Sequence, residues 1–338
     1  MRILVIGGTN FIGPHLVRRL VGRGHEVAVF HRGQTRADLP GSVQHLIGDR
    51  HQLADHQGDF SRFGPEVIVD MIAYTEDDAQ GLVDTFRGVA RRIVVLSSGD
   101  VYRAYGRFIG TEPGPLEPTP LAEDAPIRSM LFPYRDKAQG PDDFLYTYDK
   151  IPVERTAMAD PDLPGTVLRL PMTYGPGDPF RRLSPYLKRM DDGRPAIVLD
   201  AGLARWKCPR GYVENVATAI DLAIQDEQAV GRVYNVSEPS SFSEADWVRR
   251  VGEIVGWTGE VINAPLGRIA VPYDANHDLH TDSRRIREEL GFTEPVMLHE
   301  SLERTIAWER VNPPDQPSSV GLLDYEAEDR LLAELGHS

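Results

Sequence analysis

The chain has 338 residues, 41% of them hydrophobic and 26% charged, with a formal net charge of −14 at pH 7. This size and apolar content allow one large domain with a lobe, or two domains of ordinary size, while the acidic balance argues against a nucleic-acid partner, whose phosphates need clustered Lys and Arg. The single cysteine, Cys208, excludes an internal disulfide and suits a reducing compartment. The opening MRILVIGGTN stops at glycines instead of running on into a signal-peptide core. No apolar stretch approaches the ~18–20 residues needed to span a bilayer. A cytoplasmic protein without a membrane partner is expected.

Short β-branched runs alternate with helical patterns through the first half, which predicts a doubly wound parallel α/β sheet. The expected strands are Ile3 to Ile6, Val27 to Phe30, Gln44 to Ile47, Val67 to Ile72 and Ile93 to Ser97. Between the first two, Ile12, Leu16 and Leu20 recur at helical spacing and Gly24 stands where the helix stops. From Tyr102 to about Gly140 the chain is irregular and rich in Pro, Gly and charge, as expected of a long loop, functional or disordered. A helix from Tyr148 to Ala159, a strand at Thr166 to Leu170, a helix at Val213 to Ala223 and a strand at Arg232 to Val236 complete a sheet of seven strands. The expected plan is a dinucleotide-binding unit of 1–171 plus 212–236, a smaller mixed substrate lobe of 172–211 plus 237–311, and a linker and tail at 312–338. In the tail, Leu331, Leu332 and Leu335 form an amphipathic stretch that packs on the body, packs on a second subunit, or stays loose. Glu214 and Asn215 are expected to cap their helix.

The run Gly7-Gly8-Thr9-Asn10-Phe11-Ile12-Gly13 sits between a strand and a helix, the context in which a glycine motif binds a dinucleotide. Gly7 makes the turn, Gly8 permits close backbone approach, and Gly13 lets the helix pack on the strand. The pyrophosphate then rests on the helix N-terminus. The second strand ends in His31-Arg32 with no carboxylate to accept a ribose 2′-hydroxyl. Arg32 instead suits a 2′-phosphate, which points to NADP over NAD. Asp49, followed by Arg50, is placed after the third strand to reach an adenine edge, and also reads as a surface turn aspartate.

Ser97-Ser98-Gly99-Asp100-Val101-Tyr102 follows the fifth strand, and Tyr146-Thr147-Tyr148-Asp149-Lys150 follows later. The spacing of Tyr146 and Lys150 predicts that both lie on one helix face. A tyrosine that titrates near ~10 serves as an acid or base at neutral pH only when a positive charge supports it, and Lys150 supplies one. Ser98 is suited to hydrogen-bond the oxygen being oxidised or reduced. His277 and His280 flank Asp278, but a histidine pair in a loop is not read as a metal site.

Taken together with Leu168-Arg169-Leu170-Pro171, Tyr174-Gly175-Pro176-Gly177-Asp178 and the segments Arg284 to Phe292 and Leu302 to Trp308, these motifs make nearly the whole chain resemble the extended short-chain dehydrogenase/reductases, the NAD(P)-dependent epimerase/dehydratase group. The resemblance implies Ser98 at the catalytic Ser/Thr position, Tyr146 as acid/base, Lys150 as the ribose-binding lysine, Pro171 beside the cofactor, and a homodimer formed through two helices of the sheet unit. It implies a substrate that is a sugar nucleotide or related sugar derivative, transiently oxidised and then epimerised or dehydrated. Asp100 matches one member of the carboxylate pair of the related dehydratases, and reads either as a proton-transfer group or as a turn aspartate.

Three departures qualify this expectation. Asn10 replaces the middle glycine of the loop, and a similar Gly-Gly-Thr-x-Phe-Ile-Gly loop marks an atypical branch that includes chloroplast RNA-associated proteins. The interval before Tyr146 is longer than usual and carries Arg128, Phe132, Tyr134, Arg135 and Lys137, and reads either as a lid for an anionic substrate or as a surface excursion. The arginine expected shortly before the position of Asp282 is missing, which leaves Arg205, Arg210, Arg135 and Tyr174 as substrate-contact candidates. A net NADPH-dependent carbonyl reductase of a smaller substrate is therefore the alternative enzyme. A non-catalytic dinucleotide- or RNA-associated protein is the third reading.

Overall fold

The structure is a computed structural model that describes residues 1–313 and 323–337. The linker expected from 313 onward lies, past its first residue, outside the described residues. Eleven strands are present among them: β1 (Arg2–Ile6), β2 (Glu26–His31), β3 (Gln44–Ile47), β4 (Val67–Asp70), β5 (Arg92–Ser98), β6 (Gly165–Leu170), β7 (Met172–Tyr174), β8 (Ala196–Asp200), β9 (Arg210–Tyr212), β10 (Val233–Asn235) and β11 (Glu260–Ala264).

Seven of these form a parallel sheet in the order β10-β6-β5-β4-β1-β2-β3, the doubly wound Rossmann arrangement. Alternation on β1 shows why both faces are buried. Ile3 and Val5 join one core with Leu16, Leu20, Val216 and Ile220, while Leu4 and Ile6 join the other with Phe60, Leu82, Phe86 and Val153. Strand order reverses between β1 and β4, and that reversal opens a crevice beyond their C-terminal ends.

A third core packs Tyr174, Tyr212, Trp247, Val248 and Val251 together, with β7 pairing β9 and β8 pairing β11. The C-terminal helix Tyr325–Glu334 resolves the reading of the tail: Leu332 and Leu335 pack against Ala196, Val198 and Ile262 of the β8–β11 pair. Asn215 does not cap its helix. Its amide donates to the Val296 carbonyl at 2.8 Å and accepts the Val296 N–H at 3.1 Å, tying its helix to the segment before helix Leu298–Val311. Glu214 instead pairs with Arg304 at 2.9 Å.

The long segment 103–145 contains the helix Arg103–Phe108 and is held from inside by two buried charges. Glu112 accepts from the Ser129 N–H, the Ser129 hydroxyl and the Met130 N–H. Arg128, 1% exposed, donates to the Asp100 carbonyl at 2.6 Å and to the Asp149 carboxylate at 2.9 Å. Arg128 is therefore a structural tie and not part of a lid facing an anion.

Candidate active site

A cavity of about 890 Å³ fills the crevice at the strand-order reversal, within the size range of small-molecule sites. Its phosphate end is built from main chain. Gly7 (φ +97°) donates its N–H to the Phe30 carbonyl at 3.0 Å, and Gly8 (φ +76°) follows, both in a region that side chains disfavour. A Cβ on Gly13 would lie 2.4 Å from the Gly8 carbonyl carbon, so only glycine lets the helix Ile12–Gly22 approach the loop. The N-cap of that helix is Phe11, which offers no side-chain acceptor, so the N-terminal dipole end is left for a ligand in the cavity. The unusual backbone falls on Phe11 (φ +44°) and not on Asn10, whose carbonyl accepts the Gly13 N–H at 2.9 Å. Thr9 and Ile12 complete this wall. Such a cradle fits the pyrophosphate of a dinucleotide.

At the tip of β2, His31 Nδ1 accepts the Gly33 N–H at 3.1 Å. The other ring nitrogen then carries the proton and donates to His45 Nδ1 at 2.9 Å, an assignment made from this network. Burial, and then His45, hold His31 below the usual imidazole range. Exposed Arg32 lines the cavity beside this pair. Asp49 also lines it and caps the following turn through the His51 N–H at 3.0 Å. Arg50 departs from expectation. It reaches the cavity wall, but its buried guanidinium is committed to Asp70 and, at 2.6 Å, to Asp78, which leaves no free charge for a cofactor.

At the other end Ser98 closes β5 and lines the cavity, its hydroxyl accepting the Asp100 N–H at 3.2 Å. Lys150 is 4% exposed. Its ammonium donates to the Ala73 carbonyl at 2.6 Å and the Leu96 carbonyl at 2.9 Å, leaving one donor for the cavity. Burial pushes Lys150 down to about 8, opposed by the charges of Asp100, Asp70 and Asp78.

Tyr146 and Lys150 do not share a helix. The helix of Lys150 runs Lys150–Ala159, and Tyr146 belongs to a separate turn, Phe144–Thr147. Asp149 makes the break. Its backbone is extended, its N–H goes to the Tyr74 carbonyl at 3.0 Å, and its carboxylate accepts the Ile151 N–H as an N-cap. Pro152 enforces this start, because in a continuous helix its ring would meet the Tyr148 carbonyl. Tyr146 lies outside the cavity lining, under Arg135, whose guanidinium is 4.7 Å from the ring centroid and whose Nε donates to the Tyr146 carbonyl at 3.0 Å. Tyr148, likewise outside the cavity lining, donates its hydroxyl to Asp100 Oδ2 at 2.8 Å. Sequence reasoning passed over it, although an Asp three residues before a Pro is a helix-start signal.

The expected substrate contacts are largely occupied elsewhere. Tyr174 is 1% exposed in the lobe core, bonded to Glu238 at 2.8 Å and Ser301 at 2.6 Å. Arg210 is buried, paired with Glu244 and stacked on Trp247. Arg205 is exposed outside the cavity, and Arg135 stacks on Phe132 as well as Tyr146. Where a phosphate-binding arginine was expected, Tyr273 stacks on Phe108 (centroids 4.3 Å apart), which stacks in turn on Trp206 (4.9 Å). The cavity wall beyond Pro171 consists of Thr173, Pro179, Phe180 and Arg182, none of which the sequence singled out. Among the described residues no His, Cys, Asp and Glu group is arranged to hold a metal ion, and no helix is long and apolar enough to cross a membrane.

Residues 3–126 and 133–237 match the model of the NAD dependent epimerase/dehydratase family. The chain belongs to that family. It is an enzyme family of the extended short-chain dehydrogenase/reductase type. Among curated relatives, the chain is 25% identical over 279 residues to the 2'-dehydrokanamycin reductase of Streptomyces kanamyceticus, covering 80% of this chain and 70% of that protein. It is 24% identical over 249 residues to the chloroplast stem-loop binding protein of 41 kDa b of Arabidopsis thaliana, covering 70% and 58%. Among solved structures, UDP-glucose 4-epimerase of Thermus thermophilus in complex with NAD superposes with a TM-score of 0.64 at 22% identity, over 92% of this chain and 99% of that one.

Proposed function

We propose that this family member is a nicotinamide-dependent oxidoreductase that acts on a hydroxyl or carbonyl of a compact substrate, as a net reductase favouring NADP(H). The observation that carries this reading is the occupied substrate side, where the Phe108–Trp206–Tyr273 stack and the Arg210–Glu244 pair stand in place of a diphosphate clamp. The reductase named among the relatives agrees with it. The preference for NADP rests on Arg32 beside a β2 tip without a carboxylate.

When bound, the nicotinamide nucleotide donates or accepts the hydride. The glycine loop and the N-terminus of helix Ile12–Gly22 hold its pyrophosphate. Lys150 directs its remaining ammonium donor toward the ribose, Ser98 orients the substrate oxygen, and a tyrosine of the 146–148 segment moves the proton. The division into a sheet unit of 1–171 plus 212–236 and a lobe of 172–211 plus 237–311, the cytoplasmic setting and the homodimer belong to the same proposal.

A second reading is transient oxidation of a sugar nucleotide followed by epimerisation or dehydration, favoured by the epimerase neighbour that covers nearly this whole chain. The charge of −14, with Ser98 and Lys150 both on the cavity wall, disfavours a purely RNA-associated role. The test incubates the purified protein with NADPH or NADH and a panel of sugar-derived and β-keto carbonyls, with mass spectrometry of small molecules released on denaturation. Net NADPH consumption supports the reductase. A tightly retained nucleotide with sugar-nucleotide conversion and no net consumption would falsify it in favour of the second reading.

A further inference from the structure

We propose that the substrate is a keto acid, or the hydroxy acid it becomes: a compact molecule whose carboxylate is held by Arg182 and whose apolar body rests against Phe180 and Phe144. The inference rests on the oxidoreductase reading above and names the substrate class of that same cavity.

Two aromatic residues line the cavity with much of their surface uncovered, Phe180 at 61% exposed and Phe144 at 51%. Single exposed apolar side chains are ordinary, but two on the wall of one cavity form an apolar surface left for a ligand. Phe180 and Arg182 come from one turn, and that turn is built to present them. The buried carboxylate of Asp178 accepts the Phe180 N–H at 3.0 Å, the Arg182 N–H at 3.2 Å and Arg182 Nη1 at 2.7 Å. Between the two, Arg181 has φ +50°, a left-handed conformation that a residue with a side chain keeps only where its surroundings hold it. Its guanidinium lies 4.1 Å from the Trp308 ring centroid and donates to the Asn312 carbonyl at 2.6 Å. Arg181 is thereby kept out of the cavity lining while its neighbours on either side belong to it.

Arg182 is equipped to read a carboxylate. Its Nη1 is spent on Asp178 and on the Thr173 carbonyl at 2.8 Å, while Nε and Nη2 donate to nothing among the described residues. That edge, with two parallel N–H groups, matches the two oxygens of a carboxylate. The tie to Thr173 holds the guanidinium beside the strand end that carries Ser98, because Ser98 pairs in register with Leu170, three residues before Thr173. The guanidinium also lies 4.6 Å from the Phe180 ring centroid, so the charged and apolar contacts are adjacent. Phe144 is fixed separately: Asp143 caps its turn through the Leu145 N–H at 2.9 Å, and its ring meets Tyr74 edge-on at 5.0 Å. A sugar, with a hydroxyl on almost every carbon, calls for many polar partners, and those nearby are largely spent. Thr173 is buried with its hydroxyl donating to the Pro171 carbonyl at 3.3 Å, and the Asp143 carboxylate is taken by the Gln139 and Leu145 N–H groups. In the reducing direction the hydride of NADPH adds to the carbonyl carbon and a proton to its oxygen, giving the hydroxy acid and NADP+. The carboxylate keeps all its bonds.

The test gives the full chain NADPH and an α-, a β- and a γ-keto acid, benzoylformate, benzoylacetate and 3-benzoylpropionate, each as free acid and as ethyl ester. Wild type is expected to prefer at least one acid over its ester by about tenfold or more in kcat/KM, the scale of a charge-assisted pair. Arg182→Gln, first checked by thermal melting, is expected to bring that ratio near one, chiefly through KM, with NADPH affinity by fluorescence unchanged. Phe180→Ala, at an exposed position, is expected to remove the preference for benzoylacetate over acetoacetate. A second readout needs no turnover. 3-Phenylpropionate, and not 3-phenylpropionamide, is expected to perturb the fluorescence of the wild-type complex with NADPH, and to lose about tenfold in affinity in Arg182→Gln. Esters reduced as well as acids, or an acid preference that survives Arg182→Gln, overturns the inference while the oxidoreductase reading stands. A fall in NADPH affinity in Arg182→Gln assigns that arginine to the cofactor phosphates and overturns it as well. Should the complex bind 3-phenylpropionate through Arg182 yet reduce no carbonyl, the oxidoreductase reading fails and the acid site stands.

Discussion

At the phosphate end of the cavity the walls are main chain: positive-φ glycines, a helix N-terminus and a contact at Gly13 that admits no side chain. At the Ser98 end they are side chains, aimed by buried ion pairs and tyrosine hydroxyls. The first kind of wall is fixed wherever a strand, a tight turn and a helix follow one another. The second depends on partners far apart in the chain, such as Arg128 and Asp149 across 21 residues, and changes whenever one of them is replaced. One end is therefore suited to a constant ligand and the other to a substrate that differs among relatives.

The strongest test of this contrast is Gly13→Ala. Its Cβ would fall 2.4 Å from a main-chain carbon that no rotamer change can move. NADPH affinity should fall by about a hundredfold or more, equivalent to roughly 3 kcal/mol, measured by fluorescence titration at a temperature where the variant remains folded. Binding close to wild type would mean that the cradle is not main-chain-defined.

Arg128→Met is the matching experiment at the other end, with the opposite pattern. Removing the guanidinium strands the Asp149 carboxylate, 1% exposed on its side chain, and frees the Asp100 carbonyl. A lone buried charge of this kind typically costs about 3–5 kcal/mol, so urea unfolding should show a loss on that order. NADPH affinity should change far less than in Gly13→Ala, because no part of Arg128 reaches the phosphate end. A binding loss as large as that of Gly13→Ala would erase the distinction between the two walls.

This difference also explains what the sequence reveals. All seven strands of the main sheet fall close to their expected positions, and in β1, β2, β4, β5 and β6 two-sided burial writes Ile, Val and Leu into continuous short runs. The glycine loop is legible for the same local reason. The expected shared helix face of Tyr146 and Lys150 is absent because a spacing of four brings two side chains together only inside an unbroken helix, and Asp149 and Pro152 are the local evidence against one. Arg50, Arg128, Tyr174 and Arg210 all read as free polar groups in sequence. Their partners Asp78, Asp149, Glu238 and Glu244 become visible only once the chain is folded.

Arg32 tests a smaller effect at the outer edge of the main-chain end, the one place where that end relies on an exposed charge. Arg32→Ala should reduce the preference for NADPH over NADH by about tenfold, or roughly 1.4 kcal/mol, with NADH affinity unchanged. Titrations with both nucleotides measure it. Equal losses for NADPH and NADH would assign Arg32 to general attraction instead of 2′-phosphate recognition.

The smallest effect expected is a pH dependence confined to the side-chain end. Glu309 is 4% exposed, one of its oxygens is buried without a partner, and the other lies 3.3 Å from Arg181, which adjoins Phe180 and Arg182 of the cavity wall. Burial pushes Glu309 up to about 7 from its ordinary 4.5, against the attraction of Arg181. The folded protein therefore holds this proton more tightly than the unfolded chain does. The resulting stabilisation is complete below the ordinary carboxyl range and is lost as pH rises through about 7. Glu309→Gln cannot ionise, so wild type should lose melting temperature relative to the variant between about pH 4.5 and about pH 7, by a few degrees at most. Parallel melting curves for the two proteins across that interval would show that Glu309 is already ionised throughout. The side-chain end would then be as insensitive to pH as the glycine cradle opposite it.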